Sequence, residues 1–146
     1  MTANFSLYIV DGDWLAQTPS PSVETVSDHA LYDHMDLEQS SIDWVFQFRK
    51  DALRYLTNGE FGPAGGYAEW DGSDCYMGFT SAQKTAEIAS ILSEMSPEAL
   101  MQFATWIDDA YRDEIAHCLN AYYSDLKQFV EQAAAEGNGL ACLFVN

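Results

Sequence analysis

Basic residues are scarce in this 146-residue sequence, which has six Lys and Arg against 23 Asp and Glu and a formal net charge of −17. The deficit is greatest at the start, because no Lys or Arg precedes Arg49. This charge argues against binding to a nucleic-acid backbone or an anionic membrane, since both attract basic surfaces. It favours a basic protein as partner, whose arrival a strong negative field would speed. The alternative is that the charge only keeps the protein in solution.

The sequence also lacks cysteine pairs and long apolar runs. Cys75, Cys118 and Cys142 are odd in number and widely spaced, so they form neither a CxxC zinc signature nor a clear disulfide framework. No basic-then-apolar signal peptide opens the sequence, and no apolar run approaches ~20 residues. These absences predict a reduced, cytoplasmic protein.

Motifs that mark common catalytic and metal sites are missing. There is no GxGxxG after a strand and no GxxxxGK, hence no phosphate-binding loop, and there is no GxSxG, HExxH or EF-hand pattern. Paired carboxylates such as Asp108-Asp109 cannot identify an acid/base pair without a separation or a pKa. We therefore expect a protein that is not an enzyme and needs neither a cofactor nor a metal of its own.

The segment DHALYDHMDLE, from Asp28 to Glu38, leaves one alternative open. If this segment were helical, His29 would share a face with Asp33, and His34 would share one with Glu38. The two histidines are five positions apart, so one helical face cannot easily present both to a metal ion. We expect a polar, partly helical surface segment. The alternative function is a metal- or small-ligand-binding enzyme that uses this acidic His29/His34 segment.

Hydrophobic periodicity predicts strands and helices in the first two-thirds of the chain. SLYIV and CYMGF are predicted strands. A helical stripe runs from Ile42 to Leu56, and Asn58-Gly59 is expected to end it. TSAQ, which begins at Thr80, has the pattern of a capping box before another helix, and an apolar stripe that includes Ile88 and Leu92 is expected to be the buried face of that helix.

The C-terminal part completes the predicted fold. Residues 112–136 are expected to form a long helix that Gly137 stops, and LACLFV reads as a buried strand beside the N-terminal one. A hydrophobic content of 48% supports a real core. The sequence therefore predicts a single α+β domain over residues 1–146, in which a small sheet including the N- and C-terminal strands packs against several helices.

Two tryptophans, Trp14 and Trp70, are flanked by carboxylates. Tryptophan supplies contact area at protein interfaces, and carboxylates pair with Arg and Lys, so this combination suits the capture of a basic protein. The alternative is that each tryptophan simply closes the core. The predicted partner-binding residues are the two tryptophans and the acids around them or in the N-terminal part: Asp11, Asp13, Trp14, Asp28, Asp33, Asp36, Glu38, Glu69, Trp70, Asp71 and Asp74.

The region from residue 45 to residue 146 contains three pieces in a characteristic order: ALRYLTNG, then DGSDCYMGFTSAQKTAEIASILSEM, then YYSDLKQFVEQAAAEGNGLACLFVN. Together they resemble the YfbM-like family of uncharacterised bacterial α+β proteins. The last piece, with its long helix, polar turn and terminal apolar strand, is the most characteristic. This sequence departs from the family at Arg54, where a His is usual, and at Asn58, which is an extra residue before Gly59.

The resemblance carries no established catalytic set, but it implies a class of function. Members of such small acidic bacterial families are often immunity proteins beside secreted antibacterial toxins. The resemblance therefore implies a protein that binds and neutralises a cognate toxin. The charge agrees, because nuclease toxins commonly present basic substrate-binding surfaces. We expect the protein to cover such a surface without itself contacting nucleic acid or membrane.

Overall fold

A computed structural model describes residues 4–18, 21, 26–37, 45–46, 49–62, 68–70, 73–103 and 107–145. The strands are β1 (Asn4–Val10), β2 (Ala30–Leu37), β3 (Ala68–Trp70), β4 (Ser73–Thr80) and β5 (Gly139–Val145). The helices are α1 (Gly12–Ala16), α2 (Val26–His29), α3 (Tyr55–Asn58), α4 (Ala82–Glu94), α5 (Pro97–Phe103) and α6 (Asp109–Ala135). A 3-10 turn, Ala52–Arg54, precedes α3.

The strands form one antiparallel sheet of five strands in the order β2-β1-β5-β4-β3. The N- and C-terminal strands β1 and β5 are neighbours, with Leu7 opposite Cys142 and Ile9 opposite Leu140. These four residues are buried in the main core, because alternate residues of paired strands point to the same face. The predicted α+β fold, with both terminal strands in one small sheet, is confirmed.

Helices α4 and α6 supply much of the main core. Ile88 and Leu92 of α4, both predicted to be buried, are 0% exposed, and they share this core with Leu119 of α6. Helix α6 begins slightly earlier than predicted, at Asp109, and ends before Gly137, whose φ of +72° suits a residue without a side chain. None of the described helices is both long and apolar enough to cross a membrane.

The start of α4 corrects the predicted capping box by one residue. Ser81 is the N-cap, and its Oγ accepts a hydrogen bond from the backbone N–H of Lys84 at 3.3 Å. Thr80 is the last residue of β4 and pairs with Leu140. Thr80 stays in the sheet and its hydroxyl donates to the carbonyl oxygen of Tyr55 at 3.4 Å, so the helix begins one residue later and the next hydroxyl caps it.

The helix predicted to end at Gly59 consists of separate pieces, which corrects the prediction of one continuous helix. The backbone is helical at Phe46, leaves the helix at residues 49–51, and turns again from Ala52. The Asp51 carboxylate accepts hydrogen bonds from the backbone N–H of Leu53 at 3.2 Å and from Nε of Arg49 at 2.9 Å. Burial acts to raise the pKa of Asp51, but its hydrogen bonds and the Arg49 charge lower that pKa below its usual value. These contacts favour the break over a continuous helix.

Candidate protein-binding site

Strand β2 lies at one end of the sheet and contains most of the acidic segment that was expected to be partly helical. Only Val26–His29 is helical, whereas Ala30–Leu37 is a strand, so the helical expectation is wrong for most of the segment. Leu31 and Met35 explain the difference, because both pack against the main core from the sheet edge. Tertiary packing of a half-buried strand overrides a weak local preference.

A bulge interrupts the pairing of β2 with β1. The register shifts between Leu7 and Ile9, where β2 accommodates extra residues. Tyr32 lies in this bulge with a φ of +65°, a left-handed conformation that costs a residue with a side chain about 1–2 kcal/mol. Bulges bend an edge strand and redirect its side chains. Here the Tyr32 side chain is 57% exposed.

The Tyr32 side chain also joins the edge of the sheet to the long helix. Its hydroxyl donates a hydrogen bond to Oε2 of Glu136, the residue that follows α6. This hydrogen bond raises the pKa of the Tyr32 phenol above its ordinary value, because donation to a carboxylate stabilises the neutral form. The bulge is therefore a defined structural feature with a specific partner.

The carboxylate of Asp36 on β2 contacts two polar side chains of the sheet. The hydroxyl of Ser6 donates to Oδ1 of Asp36, and Nε2 of His34 lies 3.2 Å from Oδ2. The His34 ring stacks on Tyr8 with ring centroids 5.1 Å apart. The Asp36 side chain is still 62% exposed, so these contacts orient the carboxylate and leave it accessible.

Helix α1 presents a second group of predicted residues. Oδ1 of Asp11 accepts hydrogen bonds from the backbone N–H of Asp13 at 2.9 Å and of Trp14 at 3.1 Å, so this carboxylate caps the helix. The Trp14 ring is half-buried and stacks on His29, with centroids 4.3 Å apart and planes 7° apart. The backbone N–H of Asp11 donates to the carbonyl oxygen of His29 at 3.0 Å, which holds α1 against the start of β2.

The predicted partner-binding residues thus fall at two ends of the sheet. We use the term acidic edge for the exposed group on α1, α2 and β2: Asp13, Asp28, Tyr32, Asp33 and Asp36. At the far end, Glu69 and Asp74 face each other in the pairing of β3 with β4, and Trp70 is opposite Ser73. The described part of the structure does not include the side chains of Glu69, Trp70 and Asp74, nor any part of Glu38 and Asp71.

The alternative site at His29 and His34 gains no support from these contacts. The rings of the two histidines stack on different aromatic residues, Trp14 and Tyr8 respectively. Across the described residues, no group of three or more His, Cys, Asp or Glu side chains is placed to hold a metal ion. Metal or small-ligand binding by this segment stays a prediction.

Two features of the surface were missed at the sequence level. The exposed ring of Tyr32 depends on a positive φ that a tyrosine in a short polar run does not signal. Glu60 lies in a cleft beside Ser81, with which it hydrogen bonds across 21 residues of sequence. Neither arrangement has a local pattern from which it could have been found.

The fold is that of an α+β protein, and the β2 edge of its sheet exposes several carboxylates and one tyrosine ring. Its structure is similar to the crystal structure of YfbM from Escherichia coli, a protein of unknown function, over 100% of each chain with a TM-score of 0.60 and 14% sequence identity. The resemblance expected from the sequence is therefore confirmed at the level of the fold. No protein-family model matches the sequence. No curated protein matches it either.

Proposed function

We propose that this protein binds and neutralises a cognate secreted antibacterial toxin of the nuclease class by covering its basic substrate-binding or catalytic surface. The observation that supports this proposal best is the acidic edge, where Asp28 and Asp33 are exposed in the same segment, residues 26–37, as the exposed ring of Tyr32. Carboxylates offer charge-assisted hydrogen bonds to Lys and Arg, and an aromatic ring supplies contact area at low entropic cost.

Charge and contact area would act at different stages of binding. A net charge of −17 attracts a basic partner over a distance and mainly raises the association rate. A stable interface would bury about 1,600 Å² in total, and its central aromatic contacts would mainly slow dissociation. We therefore expect high salt to slow association while changing dissociation much less.

On this proposal the protein acts by binding, without catalysis and without a cofactor. It would act in the cytoplasm, where a nuclease toxin reaches nucleic acid. Inhibition would be stoichiometric, because each inhibitor occupies one toxin surface. The protein itself would contact neither nucleic acid nor membrane, since its charge opposes both.

The test uses the product of the neighbouring open reading frame, which the proposal predicts to be a basic nuclease. Nuclease activity is measured against increasing amounts of this protein, and we expect inhibition to be complete near one copy of each. Association and dissociation rates are measured at low and high salt. A nuclease that is neither bound nor inhibited would overturn the proposal.

A pair of matched double variants tests the position of the contact. Asp28→Asn/Asp33→Asn removes two charges from the acidic edge, and Asp113→Asn/Glu114→Gln removes two exposed charges from the start of α6. The second pair begins roughly 33 Å along α6 from its C-terminal end, at 1.5 Å per residue. We expect several-fold slower association for the edge variant and a much smaller change for the control. Equal changes in the association rate would show that the total charge of the protein, and not the position of these carboxylates, determines that rate.

A further inference from the structure

A cleft of about 640 Å³ lies between α1, the turn after α3 and the start of α4. Leu15 and Thr18 line one side, Phe61 and Glu60 another, and Ser81 and Gln83 close the end. Its volume is within the range of about 300–1,000 Å³ that is typical of ligand sites. Helix α1 is a wall of this cleft and also carries Asp13 of the acidic edge, so one partner can contact both.

The apolar walls of the cleft are held in place by the sheet. Phe61 exchanges backbone hydrogen bonds with Phe79 of β4 at 3.0 and 2.8 Å, and their rings stack with centroids 6.0 Å apart. Leu15 packs so closely on Gly139 that a Cβ added to this glycine would lie 2.5 Å from Cδ2 of Leu15. The cleft is therefore pre-formed, which lowers the entropic cost of filling it.

Glu60 provides a fixed negative charge in this cleft. Its Oε1 accepts a hydrogen bond from the backbone N–H of Ser81 at 3.0 Å, and its own backbone N–H donates to the carbonyl oxygen of Phe79 at 2.7 Å. Within the described part of the chain, Oε2 of Glu60 accepts no hydrogen bond. Among the described residues that line the cleft, Glu60 is also the only charged one.

The net charge of the cleft favours a cation, although the partly positive N-terminal end of α4 also lies there. The N-terminus of a helix contributes roughly half a positive charge, whereas the Glu60 carboxylate contributes a full negative charge. Part of that positive end is already satisfied, because Glu60 accepts from Ser81 and the Ser81 hydroxyl accepts from the N–H of Lys84. The Lys84 ammonium group pairs with Glu87 on the surface of α4 and is not part of the cleft lining.

We propose that this cleft receives a Lys side chain of the basic partner, with the aliphatic stem against Leu15 and Phe61 and the charged head on Oε2 of Glu60. The identity of the partner rests on the proposed function, whereas the chemistry of the cleft does not. An aliphatic stem with a cationic end matches apolar walls that lead to one carboxylate.

The test is an NMR titration of the free protein with N-acetyl-lysine N-methylamide, which carries the side chain without any toxin. We expect saturable shifts of the backbone amide signals of Leu15, Phe61 and Ser81. The neutral analogue N-acetyl-norleucine N-methylamide has the stem without the charge, and we expect it to bind about tenfold more weakly.

Two variants locate the charge that is recognised. Glu60→Gln keeps the shape and can still accept from Ser81, and we expect about tenfold weaker binding of the lysine probe. Glu94→Gln removes one exposed charge at the other end of α4 and should leave the titration unchanged. The amide spectrum of each variant checks that the fold is preserved.

Each outcome of the titration decides the proposal, whatever the toxin assay shows. Saturable binding of the lysine probe that Glu60→Gln weakens and Glu94→Gln does not would support it. Absence of binding, or equal binding of the lysine and norleucine probes, would overturn it. Binding of a free diamine without binding of the capped lysine would also overturn it, because the cleft would then select a small free amine.

Discussion

The centre of the molecule, which consists of β1, β5 and the helices packed on them, differs from the acidic edge in the residues that it contains. In the centre, Leu7 of β1 is 0% exposed, and the Cys142 thiol of β5 is buried, which raises its pKa to about 12. At the edge, Asp28 and Asp33 are exposed, and the ring of Tyr32 stands 57% in solvent. Side chains in the centre are packed against other side chains, whereas those at the edge are accessible to a binding partner.

This difference indicates at which positions a substitution can be made without a large loss of stability. In the centre, even polar groups are tied to the backbone: the buried Tyr123 hydroxyl donates to the carbonyl oxygens of Leu92 at 2.6 Å and Met95 at 2.8 Å. At the edge, exposed carboxylates contribute little to stability in water. We therefore expect central substitutions to reduce stability and edge substitutions to reduce partner binding.

The same substitution in the two regions gives the largest expected contrast in stability. Leu7→Ala removes a fully buried side chain, and we expect it to lower the free energy of unfolding by about 2–5 kcal/mol. Leu31→Ala removes a partly buried side chain of β2 from the same core and should cost about 1 kcal/mol. Urea denaturation measures the free energy of unfolding of both variants. Equal losses would show that β2 contributes as much to the stability of the core as β1 does.

Removal of one hydroxyl group from the centre should have the next largest effect. Tyr123→Phe leaves the two carbonyl oxygens at the end of α4 without this donor, at a cost of about 1–3 kcal/mol. Tyr111→Phe removes the same atom from a ring that is 52% exposed, so it is the matched control and should be nearly neutral. Thermal or urea denaturation would contradict the comparison if the control lost as much stability.

The sequence predicted the centre better than the edge, and the reason is physical. Buried strands and helices carry apolar periodicity, so SLYIV, LACLFV and the α4 stripe identified β1, β5 and their packing. Among the described side chains of β2, only Leu31 and Met35 are apolar groups packed against the core, and the bulge disturbs the alternation that marks a strand. The cleft depends on contacts between distant parts of the chain, such as Glu60 with Ser81, which no local pattern contains.

Asp11 lies on the border between the two regions and should behave as a structural residue. Asp11→Ala removes the carboxylate that caps α1, at an expected cost of about 0.5–2 kcal/mol. Asp13→Asn alters the exposed acid of the same turn and should change stability by no more than about 0.5 kcal/mol. If Asp11→Ala were neutral in denaturation yet slowed toxin binding, Asp11 would belong to the contact surface, as its sequence context suggested.

Substitution of Tyr32 should have a small net effect on stability and a clear effect on binding. Tyr32→Gly relieves a left-handed conformation worth about 1–2 kcal/mol, but it loses the hydrogen bond to Glu136 and makes the unfolded chain more flexible. These effects oppose each other, so we expect a net change within about 1 kcal/mol. The loss of an exposed aromatic contact should raise the Kd for the toxin about tenfold, a size common for a central interface residue.

Tyr32→Phe separates the ring of this residue from its hydroxyl group. This variant keeps the contact area and loses only the hydrogen bond to Glu136, so toxin binding should stay close to that of the unchanged protein. Kinetic binding measurements on both variants, with urea denaturation alongside, distinguish a contact residue from a structural one. If Tyr32→Gly strongly destabilised the protein while binding per folded molecule stayed normal, the bulge would serve the fold. Tyr32 would then be a structural residue of the acidic edge, as the buried residues are in the centre of the molecule.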